Sequence, residues 1–336
     1  MKKILVLGGT GAMGTYLVPE LIAMDYQVDV VALDGVNSNN PNFTYIHANA
    51  KDDAWLAGQL KQNYDAVVDF MLYSTDEFSK RHKLLLENTS HYIFFSTYRI
   101  YADNAPITEN SPRLLDTSQD KEFLAGTDGE YSLYKAIQED VLRTSGHHNF
   151  TIVRPSITYS KRRFQLVTLE ADVVVHRAMK NQPVILPEEA LSVQGTMSWA
   201  GDVARMIARL VLNPAAYQET FTLATAEHHT WGEIAEYYRE IIGLTYIPVD
   251  AETYLALMGG TAGARYQLMY DRCFNRIVDN SKILRVTGMR QSELTILKDG
   301  LERELSVVPK DTVWPENAIN ARMDEFLKSE KSKERV

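Results

Sequence analysis

Three glycines, Gly8, Gly11 and Gly14, follow the apolar run Ile4-Leu5-Val6-Leu7 and precede a helical pattern. A chain that leaves a strand, turns within a few residues and enters a helix needs positions without a Cβ. The stretch Gly8-Gly9-Thr10-Gly11-Ala12-Met13-Gly14 adds a second demand, because the spacing lets a pyrophosphate reach the backbone. The helix start then offers N–H groups and the positive end of its dipole to phosphate. Gly8, Thr10, Gly11, Ala12, Met13 and Gly14 are therefore read as the cradle of a dinucleotide. The alternative is an ordinary glycine-rich turn, and the strand before and helix after argue against it.

The first half alternates β-branched runs with helical windows. Strands are predicted at 4–7, 27–33, 43–46, 66–70, 92–95 and 151–153, the last stopped by Arg154-Pro155. Helices are predicted at 12–24, 53–62, 76–88 and 130–145. Such alternation builds an α/β fold, a Rossmann-type doubly wound parallel sheet with right-handed crossovers. The second half is less regular, with helical windows at 201–212 and 230–242. Residues 1–155 are expected to bind the cofactor, with segments near 196–225, including a strand at 220–223, returning to that domain. Residues 156–327 are expected to form a smaller mixed α/β C-terminal substrate lobe, interleaved with the first. Residues 328–336 read as a charged, frayed tail.

The chain of 336 residues is long for one core, and 45% hydrophobic content suits a globular protein. A net charge of −9 disfavours nucleic acid. A single cysteine, Cys273, forbids an intrachain disulfide and fits a reducing compartment. The apolar run after Met1-Lys2-Lys3 stops after four residues, too short for a secretory signal. No apolar stretch approaches a membrane span, so a cytoplasmic protein without membrane contact is expected. His147-His148 and His228-His229 lack a ligand pattern, and no metal site is expected.

The second strand ends near Asp34, twenty residues past Gly14. A carboxylate there accepts from ribose hydroxyls and repels a 2′-phosphate, which favours NAD over NADP. Tyr131 and Lys135 stand four apart in a helical window and share a face. A phenol titrates near ~10, and a nearby ammonium stabilises its ionised form. On spacing alone this pair would be an exposed helix face. Its place after a dinucleotide loop, and after a strand ending in Phe94-Phe95-Ser96-Thr97, points to catalysis.

Together these residues resemble the extended short-chain dehydrogenase/reductase family, the NAD-dependent epimerases and dehydratases with their nucleotide-sugar epimerases. The resemblance rests on the glycines, Asp34, Ser96-Thr97-x-x-x-Tyr101, Thr108-Glu109-x-x-Pro112, Tyr131-x-x-x-Lys135, Arg154-Pro155 and Asp279-Asn280-Ser281-Lys282. It implies that Thr97 bonds the substrate oxygen, Tyr131 exchanges its proton, and Lys135 tunes Tyr131 and holds the cofactor. It also implies cofactor contacts at Asn49, Ala50, Phe70, Ser96 and Pro155. Substrate contacts fall on Tyr73, Tyr98, Ile157 and Arg272, and the partner is a small molecule. A homodimer packed through the helix near 76–89 and the Tyr131 helix at 130–145 is expected.

Departures from the family pattern narrow the chemistry. Tyr98 and Arg99 follow Thr97, where the family's dehydratases carry Asp-Glu, so no acid for water elimination stands there. Ile157 replaces an Asn that contacts a diphosphate, Ser160-Lys161 replaces Gly-Pro, and Gly195 replaces an Arg. Arg162, Arg163, Arg272 and Arg276 are possible phosphate ligands, but each reads first as a solvated surface charge. Cys273 reads as a packing residue, as do Trp199 and Trp231. The resulting expectation is an NAD-dependent epimerase or oxidoreductase acting by reversible hydride transfer on a secondary alcohol of a sugar or nucleotide sugar, similar to UDP-glucose 4-epimerases. The rival enzyme reading is an NAD(P)-dependent reductase or dehydrogenase of a small non-nucleotide carbonyl. The rival of another class is a dinucleotide-binding regulatory or RNA-binding protein on the same fold.

Overall fold

Strands form where β-branched and aromatic residues run together. They are β1 (Lys3–Leu7), β2 (Gln27–Ala32), β3 (Phe43–His47), β4 (Ala66–Asp69), β5 (His91–Phe95) and β6 (Phe150–Pro155). Between them lie α1 (Gly14–Ala23), α2 (Asp53–Leu60), α3 (Thr75–Glu87) and the helix Tyr131–Arg143. The structure is a computed structural model that describes residues 1–35, 38–103, 105–120 and 131–333. Later strands are β7 (Ile157–Tyr159), β8 (Val184–Pro187), β9 (Gln194–Gly195), β10 (Met197–Trp199) and β11 (Thr220–Leu223).

The central sheet has seven strands in the order β11-β6-β5-β4-β1-β2-β3, and every pair is parallel. β4 and β5 are buried at every position, as expected for a parallel sheet covered on both faces. One face packs Leu17 and Leu21 of α1 with Val203 and Ile207 of the helix Ala200–Leu210. The other packs Leu56 of α2, Phe78 and Leu85 of α3, and Leu142 of the Tyr131 helix. After β1 the chain builds outward through β2 and β3, then returns to place β4 on the opposite side of β1. The C-terminal ends of β1 and β4 therefore flank the switch point, where open α/β sheets bind ligands.

A second core joins Val173 and Val174, Trp231 and Ile234, and Leu301. They lie on helices Ala171–Met179, Trp231–Ile242 and Leu297–Ser306. Three two-stranded pieces edge this lobe, including β7 beside β10. Glu304 joins it to the sheet domain. Its carboxylate accepts from Tyr16 Oη of α1 at 2.7 Å, Trp199 Nε1 at 2.8 Å and Lys161 N at 2.8 Å.

Several boundaries differ from expectation for physical reasons. α1 begins at Gly14 because Ala12 and Met13 belong to the turn. β6 runs through Pro155, and the ladder is carried past that residue by Ser156 N donating to Leu223 O at 3.0 Å. The helix of Tyr131 is described from Tyr131 onward, and Glu130 lies outside the described residues. Residues 328–333, expected to fray, continue the helix Ala318–Lys333. That helix is anchored upstream, where Asp324 pairs with Arg177 at 2.9 Å and Met323 is fully buried. No helix among the described residues is long and apolar enough to cross a membrane.

Candidate active site

The glycine loop divides its labour among its glycines. Gly8 has φ +73°, and a Cβ there would meet Met71 Sδ at 3.2 Å and Phe70 Cβ at 3.4 Å. Gly14 lies against the loop so tightly that a Cβ would stand 2.3 Å from Gly9 O. Gly11 faces open space, with Gly8 O at 3.6 Å the only atom near its missing Cβ. These are the tight turn, the close helix approach and the ligand-facing gap that a dinucleotide loop requires. Gly9, given no role by the sequence, seats the loop on the sheet, with Val6 Cγ1 2.8 Å from its would-be Cβ. Thr10 Oγ1 donates to Asp34 Oδ1 at 2.9 Å, which ties the loop to the exposed end of β2. Arg162 donates to Thr10 O at 2.8 Å from the opposite lobe, so it braces the loop while staying exposed.

The Tyr131 helix buries Lys135, which is 2% exposed. Lys135 Nζ stands 5.9 Å from the Tyr131 ring centroid and 4.8 Å from that of Phe94. Burial pulls its ammonium down to about 8, and the negative charges of Asp69 and Glu139 oppose that fall. Tyr131 opens on a cavity of about 420 Å³ whose wall also carries Thr97, Tyr98, Met13, Phe70, Pro155, Ile157 and Arg272. Thr97 is extended, with φ −155°, and its Oγ1 accepts from Arg99 N at 3.3 Å. A hydroxyl that accepts in this way still has its hydrogen to donate.

Other expected site residues lie elsewhere. Tyr73 is absent from the cavity wall, is 5% exposed, and donates to Asp69 Oδ2 at 3.1 Å. Its ring packs under the guanidinium of Arg81, 4.7 Å from the centroid. Ser96 is 1% exposed and does not reach the cavity. Asn49 folds its amide oxygen onto Lys51 N at 3.0 Å, and buried Ala50 accepts from Arg81 at 3.1 Å.

The reading of Arg272 and Arg276 as surface charges is corrected, since they are 2% and 1% exposed. Both serve the buried carboxylate of Asp271: Arg276 Nε donates at 3.0 Å, Arg272 is in direct contact, and Arg99 Nε lies 3.4 Å away. Val167 O accepts from Arg272 at 2.7 Å, and Tyr101 O at 3.0 Å and Tyr270 O at 3.2 Å accept from Arg276, so the desolvated guanidiniums keep partners. The cavity wall carries Arg163, named above as a possible phosphate ligand, and also Arg99, Gln165, Glu170 and Gln267, which sequence reasoning did not place there. They come from four separate segments, and only the clustering of Asp271, Arg272 and Arg276 left a local trace. Among the described residues no group of His, Cys, Asp and Glu has the arrangement to hold a metal. Burial raises the Cys273 thiol to about 11, far from a reactive thiolate.

Comparison with known proteins adds a family. The profile described as the NAD dependent epimerase/dehydratase family matches residues 4–224. No curated protein matches the sequence. Among solved structures, the chain is similar to Bordetella bronchiseptica WbmH in complex with NAD+ (15% identity, TM-score 0.66, 91% of this chain and 98% of that one). It is similar to a Thermotoga maritima UDP-glucose 4-epimerase with UDP-glucose (18% identity, TM-score 0.63, 90% and 97%). It is also similar to a Bacillus anthracis dTDP-glucose 4,6-dehydratase in complex with NAD (16% identity, TM-score 0.67, 91% and 96%).

Proposed function

The chain belongs to the NAD-dependent epimerase/dehydratase family, and on that premise we propose that it binds NAD and exchanges hydride reversibly with a secondary alcohol of a sugar or nucleotide sugar. The observation that carries this reading is the convergence of Thr97 and Tyr131 on one cavity, with buried Lys135 one helical turn behind Tyr131. The residues present fit the cofactor: Gly8 and Gly14 shape its turn, Gly11 leaves the approach open, and Asp34 stands where ribose hydroxyls need an acceptor. In the same reading residues 1–155 carry the cofactor and residues 156–327 mainly the substrate.

When bound, the nicotinamide supplies the carbon that takes and returns hydride. Thr97 Oγ1 donates to the substrate oxygen and fixes its distance from Tyr131. Tyr131 Oη takes the alcohol's proton as the C–H bond breaks and gives it back on return. Lys135 stabilises the ionised phenol by charge. Met13, Phe70 and Pro155 line the cavity and would offer a bound nicotinamide apolar surface that excludes water. Arg99 stands beside Thr97, 6.0 Å from the Tyr131 ring centroid, at a position that offers no acid for dehydration.

A second reading, a small non-nucleotide carbonyl as substrate, has its own support. Ile157 puts an alkyl group on the cavity wall. At Gly195 a Cβ would stand 2.8 Å from the Trp231 ring, so no long side chain reaches substrate from that position. Calorimetry with UDP and GDP separates the two: binding favours the nucleotide sugar, and its absence favours the small carbonyl. Turnover without added cofactor, by protein that carries stoichiometric NAD, identifies an epimerase. Dependence on added NAD(H) identifies a dehydrogenase or reductase.

A further inference from the structure

β4 ends on a carboxylate that the proposed chemistry has not used. Asp69 is 1% exposed, at the strand end that flanks the switch point. Its oxygens accept from Tyr92 Oη at 2.8 Å, from Tyr73 Oη at 3.1 and 3.2 Å, and from Met71 N at 3.0 Å. Donors gathered on one buried carboxylate favour its charged form.

Two cations stand near that charge: Asp69 is the register partner of Phe94, over whose ring Lys135 Nζ stands at 4.8 Å, and the Tyr73 side chain that donates to Asp69 has its ring 4.7 Å from the Arg81 guanidinium. Arg81 of α3 already pairs with Asp53 at 2.6 Å and donates to Ala50 O. Lys135 pairs with no carboxylate within 4.0 Å among the described residues, and its ammonium lies between the rings of Phe94 and Tyr131. The carboxylates that act on it are Asp69 and Glu139, and Glu139 is held by Arg154 at 2.6 and 2.9 Å. The charged and titratable groups that face Lys135 are thus Asp69 at the end of β4 and Tyr131 and Glu139 of its own helix, while Tyr73, Tyr92 and Arg81 surround Asp69. Asp69 is the one acid in this set whose charge is not spent on an arginine at contact distance.

We propose that Asp69 is a positioning residue for the Tyr131–Lys135 pair: clamped by Tyr92 and Tyr73 beneath the helix, its carboxylate is the counter-charge that keeps Lys135 protonated. This rests on the reading of that pair as catalytic. Burial penalises both charges, lowering the Lys135 ammonium and raising the Asp69 carboxyl, while their attraction works against both shifts.

The test is a titration of lysine 13Cε resonances in the whole protein without added dinucleotide, with Lys135 assigned through Lys135→Met. The wild-type Lys135 midpoint is expected near 8. Asp69→Asn keeps an acceptor for Met71 N but removes the charge, and moves the midpoint down by about one pH unit or more. Tyr92→Phe removes one donor, makes Asp69 easier to protonate, and moves the midpoint the same way by less. It also serves if Asp69→Asn does not fold. In active enzyme the alkaline limb of kcat/KM follows the Lys135 midpoint, whereas a purely structural role lowers kcat at every pH and leaves the limb in place. A Lys135 midpoint unmoved in folded Asp69→Asn, or unmoved in Tyr92→Phe where the first variant is unfolded, overturns the proposal. Because the titration needs no turnover, failure of the functional reading is seen separately, as a wild-type enzyme without hydride transfer.

Discussion

Arg154 grips Glu139 with two parallel hydrogen bonds, Nε to Oε1 at 2.9 Å and Nη2 to Oε2 at 2.6 Å, and so fastens the Tyr131 helix to β6. Both side chains are buried, at 2% and 0% exposed. Removing one partner strands the other charge, so Glu139→Gln is expected to cost roughly 3–5 kcal/mol in denaturant unfolding. The Arg154 charge and its hydrogen bonds hold the Glu139 carboxyl below its ordinary value, although burial pushes the other way. Its contribution is therefore complete above the unfolded value of about 4.3 and is lost as pH falls through the lower folded value. The stability gap between wild type and Glu139→Gln should close in that acidic window. A gap that does not depend on pH would contradict the assignment.

Lys135 makes the opposite prediction. Its folded value of about 8 lies below the ordinary 10.5, so between those two the unfolded chain binds the extra proton. Stability then rises with pH across that window, and the buried ammonium is a cost below it. Wild-type stability should therefore rise by roughly 1–3 kcal/mol between pH 7 and pH 10, and Lys135→Met should lack that rise. The same variant should lose hydride transfer. Urea midpoints at several pH values check the first half, and a wild-type stability that fails to rise across that window relative to Lys135→Met would contradict it.

Tyr131→Phe keeps the ring on the cavity wall and removes the proton carrier, so turnover should fall roughly 10²–10⁴-fold. NAD affinity by calorimetry should change little. Thr97→Val removes the donor to the substrate oxygen and should lower kcat roughly 10²–10³-fold. Substrate-free stability should move little in either variant.

The glycines separate fold from function. Gly14→Ala drives a Cβ into Gly9 O, and overpacking of that kind costs roughly 1–3 kcal/mol. Gly11→Ala meets only Gly8 O at 3.6 Å, so the fold should tolerate it. NAD binding should nonetheless weaken, because the methyl occupies the cofactor's approach. Equal effects of the two substitutions on stability would contradict this division.

The sheet was legible because parallel strands buried on both faces leave continuous apolar runs, as Ile4–Leu7 and Tyr92–Phe95 do. Gly8, Gly11 and Gly14 were legible because their requirement is local. Thr97, Tyr131 and Lys135 became candidates only in context, since a Tyr and a Lys one turn apart are common on surface helices. Tyr73 was misplaced because its ring turns under Arg81 toward Asp69, and which side of a strand end a residue faces is decided by packing. Asp69 itself carried no signal: β4 offers an acid after two valines, and its meaning depends on Tyr92, α3 and Lys135 arriving from elsewhere. Arg272 and Arg276 looked solvated because the carbonyls that accept from them, Val167 O and Tyr101 O, arrive from distant segments, and because the sequence does not show that Asp271 beside them is buried. Anchors such as Tyr101 and Arg154 form a buried scaffold: Arg154 Nη1 donates to Tyr101 Oη at 2.9 Å, and Tyr101 Oη meets Thr222 Oγ1 at 2.6 Å.

The most direct measurement is product formation by wild type and Tyr131→Phe, run side by side over a panel of sugar nucleotides and small carbonyls, with nicotinamide absorbance reading net redox and chromatography reading epimers. NAD-dependent turnover of at least one panel member by wild type, and its loss in Tyr131→Phe, is the predicted result. Turnover that needs no NAD, or that survives Tyr131→Phe unchanged, would contradict the account.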